Sequence, residues 1–202
     1  MSEENNGPEV EPVKDVKFEA KIAKGEDALT LTYVVTNSSS NDVYLLDAHP
    51  SVDPTTRAAS ADLKQFYLCL RGKSTAYFLK GVPPLPSVPV TVRVMPLGTK
   101  IEPSATVVRE IRIPLPLRER NDWYYPPAPP EDYTIGSVDH LVVDVQILRN
   151  SVDGFQAIPA HYAPEFFVVK GKNIPTQVEN LRKEFNFEKL SLFIRKGMFT
   201  RL

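Results

Sequence analysis

The chain predicts an all-β fold of the sandwich or barrel kind, and three observations carry that prediction. Apolar and polar residues alternate with period two in one short stretch after another, the pattern of strands buried on one face. Clusters of Gly, Asn, Asp and Ser separate those stretches and supply turn chemistry. Helical periodicity is confined to two brief places. About nine short strands punctuated by turns are the signature of a sandwich or barrel.

Taken in order, Phe18, Ala20 and Ile22 alternate with charged or polar neighbours, and Lys24-Gly25-Glu26-Asp27 reads as a turn. Leu29, Leu31, Tyr33 and Val35 resume the alternation, so the two segments form a hairpin. Ser38-Ser39-Ser40-Asn41-Asp42 then leads into the apolar run Val43-Tyr44-Leu45-Leu46. Further strands are expected at Gln65–Arg71, Thr75–Lys80, Val88–Met95, Thr106–Ile113, His140–Arg149 and Phe166–Lys170, all favoured by β-branched or aromatic residues. Ser60–Lys64 reads as a single helical turn. Thr176 and Glu179 have capping-box spacing, and Val178, Leu181 and Phe185 share one helical face, which predicts a helix over residues 176–185. Leu190, Leu192 and Ile194 alternate like a strand, but Phe193 interrupts them, and that segment is left unassigned.

Of the 19 prolines, four lie in Pro83–Pro89 and six in Pro114–Pro130. Each lacks a backbone donor and biases its predecessor to extended conformations, so both stretches read as stiff loops or edges. Residues 1–13 hold almost nothing to bury and read as a disordered acidic arm. The expected organisation is that arm, a sandwich domain over residues 14–172 and a basic, apolar extension over residues 173–202.

Hydrophobic residues make up 42% of the 202 and charged ones 24%, enough apolar side chain for a sizeable core. A net charge of -1 gives no field to gather phosphate backbones, so nucleic acid is not an expected partner. Charge is concentrated at the ends, with Glu3, Glu4, Glu9, Glu11 and Asp15 near the start and Arg182, Lys183, Lys189, Arg195, Lys196 and Arg201 near the end. Cys69 is the only cysteine, which rules out an internal disulfide and points to a reducing compartment. With a polar acidic start and no apolar run of membrane-spanning length, a cytoplasmic location is expected.

The run LTLTYVVTNSSSNDVYLLD, Leu29 to Asp47, resembles the paired strands of immunoglobulin-like sandwich modules. The run IEPSATVVREIRIPLPL, Ile101 to Leu117, looks like a second such element. Bacterial intracellular proteinase inhibitors share this grammar, as do interdomain modules of secreted enzymes. The antibody pattern of two cysteines around a tryptophan is absent. The resemblance implies an immunoglobulin-like antiparallel β-sandwich, here with a short C-terminal helical extension.

Catalytic chemistry finds no constellation. His49, His140 and His161 are far apart, and none sits in a nucleophile motif. Asp47 through Pro54 places two carboxylates and an imidazole close together, the residue types of a divalent-ion site, but an ordinary interstrand loop accounts for them equally. No metal and no cofactor are expected. Cys69 between Leu68 and Leu70 reads as a buried, inert thiol. Lys80-Gly81-Val82-Pro83-Pro84-Leu85-Pro86 fits a polyproline ligand pattern, and equally a stiff connection.

The segment from Arg118 to Pro127 is the most informative. It sets Arg118, Arg120, Trp123, Tyr124 and Tyr125 between prolines, where no alternating strand can bury all three rings, and Trp, Tyr and Arg dominate interface hot spots. These five residues are the expected partner-binding site. The expected function is a non-enzymatic protein-binding or assembly module, with self-association through the apolar C-terminal extension as one route and attachment to a membrane surface disfavoured. The alternatives are a protease inhibitor and a carbohydrate-binding module stacking sugars on the Trp123 loop.

Overall fold

The computed structural model describes residues 13–72, 74–83, 95–120, 133–151, 154–172 and 174–195. Its first hairpin follows from the alternation: β1 (Val16–Lys24) and β2 (Ala28–Asn37) pair antiparallel in unbroken register from Val16↔Asn37 to Lys24↔Leu29. The turn is closed by Gly25 N–H donating to the Ala28 carbonyl at 2.8 Å. β8 (Thr106–Pro114) joins the other edge of β2, which completes a three-stranded sheet.

The second sheet is larger and mixed, and its spine is β10 (Tyr133–Arg149). One edge of β10 pairs antiparallel with β13 (Glu179–Arg195) along most of its length. The other edge is shared by β6 (Thr75–Lys80), which runs parallel beside His140–Val145, and β3 (Val43–Val52), which runs antiparallel beside Ile147–Arg149. Beyond β3 come β7 (Leu97–Ile101), β12 (Ala163–Lys170) and β11 (Gln156–Ala160). β5 (Tyr67–Arg71) pairs with β6, β4 (Ala59–Asp62) with the end of β3, and β9 (Leu117–Arg118) runs parallel to β13.

The main apolar cluster draws on both sheets. Leu29, Leu31, Tyr33, Val35, Ile111 and Ile113 come from the small one, and Val43, Leu45, Phe78, Leu141, Val143, Val145, Leu181, Leu190 and Leu192 from the large one. Burying such side chains in full contributes about 1.5–3 kcal/mol apiece, so this contact dominates the fold. Asn37 joins the two sheets by polar bonds. Fully buried, its Nδ2 donates to the carbonyls of Asn41 and Ile101, while its Oδ1 accepts from the Ser39 amide and hydroxyl. That use of every amide lone pair and proton explains why the strand ends in Asn before a serine-rich loop.

The all-β expectation holds, with differences in detail. The large sheet contains the parallel pairs β6/β10 and β9/β13, so it is not purely antiparallel. The helix expected over residues 176–185 is not formed: α1 is a single turn, Ile174–Gln177, and β13 begins at Glu179. Pro175 suits the first turn of a helix. Glu179, however, does not complete a capping box; it accepts two hydrogen bonds from Arg149 on β10, and Leu181 is buried on the core side. A ten-residue helix lacks the local stability to resist a strand partner of this length. Ser60–Lys64 likewise is not helical, since Ala59–Asp62 pairs with β3. The strand expected at Val88–Met95 and nearly all of the acidic arm lie outside the described residues. No helix among the described residues is long and apolar enough to cross a membrane.

Candidate functional site

Strand period two sends alternate residues of β10 away from the small sheet, and the registers build a grid on that outer face. Arg71, Thr75, His140 and Asn186 form one row, Cys69, Tyr77, Val142 and Glu184 the next, and Tyr67, Leu79, Asp144 and Arg182 a third. The pairing of β10 with β13 shifts between Val138 and His140. Past that shift the same face continues as Ser137, Ile135 and Tyr133 on β10, with Phe193 directly opposite Ile135 and Arg118 of β9 beside Phe193.

Arginines on aromatic rings recur along this face. The Arg71 guanidinium lies 3.8 Å from the Tyr77 ring centroid. Arg118 lies over both Tyr133 and Phe193, at 5.4 and 5.3 Å, and those two rings meet edge to face. Arg182 donates to both carboxylate oxygens of Asp144 at 2.8 Å and to the Tyr77 hydroxyl at 3.1 Å. The Asp144 bonds push the Arg182 pKa up. Stacking holds a guanidinium in place while leaving its edge donors free, which prepares it for a partner. His140 faces an oxygen from each ring nitrogen, Asn186 Oδ1 at 2.7 Å and Glu184 Oε2 at 3.2 Å.

The apolar end of the face is open. Ile135 is 70% exposed, the most of any large apolar residue described. A lone exposed isoleucine is ordinary, but this one adjoins two half-buried rings and a stacked arginine, the composition of an interface core.

The expected site residues are divided by the structure. Arg118 belongs to this face. Arg120 does not: its guanidinium lies over the buried Phe66 ring at 5.4 Å, and its backbone exchanges two 2.8 Å hydrogen bonds with Leu68. Trp123, Tyr124 and Tyr125 lie outside the described residues; the segment that carries them leaves at Arg120 and returns at Tyr133. Sequence reasoning missed Tyr133, Ile135, Phe193 and Arg71. Tyr133 and Ile135 do alternate, but Thr134, Gly136 and Ser137 dilute the signal. A Cβ added at Gly136 would collide with the Ile194 Cδ1, so a side chain there would displace the end of Ile194.

The other candidates are structural in this arrangement. Asp47 and His49 point into the core, and Asp53 caps its own turn by accepting from the Thr55 and Thr56 amides at 2.8 and 2.7 Å. Among the described residues no group of three or more His, Cys, Asp or Glu is placed to hold a metal ion. Burial pushes the Cys69 thiol up to about 11, which keeps it protonated and unreactive. Lys80, the basic residue of the polyproline pattern, is fully buried and spends its ammonium on the carbonyls of Leu63 and Gln65. Compared with known proteins, the chain matches no family model, no curated protein and no solved structure.

Proposed function

We propose that this chain is a non-enzymatic protein-binding or assembly module with an immunoglobulin-like sandwich body. Its contact surface is the outer face around Tyr133, Ile135, Phe193 and Arg118, and we carry Trp123, Tyr124 and Tyr125 as partner-binding candidates on the sequence alone. The observation that supports this reading most is the 70% exposure of Ile135 between half-buried rings and a stacked arginine. Such a centre gains from losing water while Arg118 supplies directional bonds at its margin. Arg120 acts here as an anchor for the root of the Trp123 segment.

The test is affinity capture with three baits: the wild-type chain, Ile135→Glu, and Val108→Glu as a control on the exposed side of β8. A protein held by wild type and control but weakened at least about tenfold by Ile135→Glu supports the surface, since a buried carboxylate at an interface centre costs that much or more. Equal capture by all three baits removes this face from the function. Retention on a glycan array that depends on Trp123 replaces the protein partner with a carbohydrate.

A further inference from the structure

At the root of the β3/β4 hairpin lies a buried polar group that the proposed contact surface does not use. β3 pairs with β7 as far as Ala48↔Leu97; from His49 onward its ladder partner is β4, in the register His49↔Asp62 to Val52↔Ala59. Residues 49–62 therefore form a hairpin that leaves the sheet, and its root is held by two buried side chains. Lys80 Nζ, at the end of β6, donates to the Leu63 carbonyl at 2.8 Å and the Gln65 carbonyl at 2.5 Å, just past β4. His49 is fully buried, with its ring edge to face against Tyr67 at 5.1 Å, and neither ring nitrogen has a hydrogen-bond partner.

We propose that His49 is an acid-operated latch: neutral, its ring packs the hairpin root onto Tyr67, and protonation expels it and releases residues 50–63 while the β10/β13 spine stays folded. The surroundings oppose a cation at this point. Burial and the positive neighbours Lys80 on β6 and Arg120 beyond β9 disfavour it, outweighing the Asp62 carboxylate on β4, which favours it. Asp47 on β3 and Arg109 on β8 complete the charges facing Lys80, and the Asp47 carboxylate is already engaged by Arg109 and Thr99. Tyr67 on β5 is the ring neighbour of His49, and Tyr33 on β2, beside Asp47 and Arg109, is held neutral by burial. An imidazolium here meets two like charges, lacks a bonded acceptor and has lost its water, so the open hairpin is where it finds solvent.

Burial first, then Lys80, lowers the His49 pKa to about 4. The unfolded or locally open ring titrates near its ordinary value of about 6.5. The open state thus binds the proton more tightly, and closure weakens as pH falls from the ordinary value toward the folded one. Lys80 works in the same sense. Its own pKa falls to about 8 through burial, so at neutral pH it carries the charge that repels a second one.

The experiment is carried out on the full chain. Histidines labelled at Cε1 are titrated by NMR, with His140→Gln and His161→Gln for assignment, and amide hydrogen exchange is followed across the same pH range after correction for intrinsic rates. His49 is expected to titrate below about pH 5, and exchange over residues 50–63 to rise at least about tenfold through that titration while residues 141–147 change less than about twofold. His49→Phe should abolish the response, and Lys80→Met should shift its midpoint to higher pH. An imidazole that titrates at its ordinary pKa with no change in the hairpin, an opening that spreads to 141–147, or an unaltered acid response in His49→Phe each overturns the latch. Should His49→Phe not fold, the wild-type NMR titration and the Lys80→Met midpoint decide the matter alone.

Discussion

Asp47 and Asp144 invite comparison, because both carboxylates are fully buried in the large sheet and each is held by one arginine, yet they face opposite ways. Asp47 faces the small sheet. Arg109, which reaches it at 2.7 Å, belongs to β8, so this ion pair crosses between sheets and is joined by the Thr99 hydroxyl at 2.6 Å. Asp144 faces outward, and Arg182 is its direct cross-strand neighbour on β13. One pair ties the two sheets to each other, whereas the other ties two neighbouring strands of a single sheet.

The contrast breaks most directly through the arginines. Arg109→Met leaves the Asp47 carboxylate between the sheets with only Thr99 for company, and a loss of about 3–5 kcal/mol is expected in urea denaturation. A loss below about 1 kcal/mol would mean that water enters the interface freely, and the distinction between the two pairs would vanish.

His49 sharpens the comparison from the interior side. Because its folded pKa is about 4, stability is fully present above the unfolded value and declines as pH falls through the window down to the folded one. The full shift corresponds to roughly 3 kcal/mol, and His49→Phe should flatten this acid limb of the stability curve. A variant that keeps the wild-type acid limb would assign the loss to carboxylates such as Asp47 and Asp144.

Arg182→Met, like Arg109→Met, strands a fully buried carboxylate, and because the pair links neighbouring strands of one sheet and not two sheets, a somewhat smaller loss of about 2–4 kcal/mol is expected. Equal losses for the two arginines, measured in the same buffer, would show that linking two sheets adds nothing to the cost of stranding a buried carboxylate. The smallest effect belongs to Ile135→Glu, whose change in stability should stay within about 0.5 kcal/mol because the side chain is already in water. A thermal melt of that variant checks it, and a marked destabilisation would mean that Ile135 is covered.

How much of this was legible depends on how local the cause is. The β1/β2 hairpin could be read because alternation and turn chemistry both lie within it. The Asn37 loop was legible as a loop, whereas the reach of its amide to Ile101 on the other sheet was not. Residues 176–185 were misread because Thr176 and Glu179 carry a local helix signal that a distant partner, Arg149, overrides. At the candidate site, Arg118 could be picked out from its company of aromatics in sequence. Its actual rings, Tyr133 and Phe193, come from two other strands and meet it only through register.

The position of β10 also dictates the order in which this protein can be made. β3 and β6 are synthesised long before β10, yet both are hydrogen-bonded to its one edge, and β13 follows later still to cover the other. While the ribosome is still adding residues 81–132, those early strands have apolar faces and no spine. Pairings so distant in sequence close slowly, since loop entropy is lost before any contact is gained. The β1/β2 hairpin can form at once, but β8 and then β10 must emerge before it has anything to lie upon. The nascent chain is therefore expected to spend much of its synthesis as a client for chaperones, with residues 43–80 as the stretch they hold.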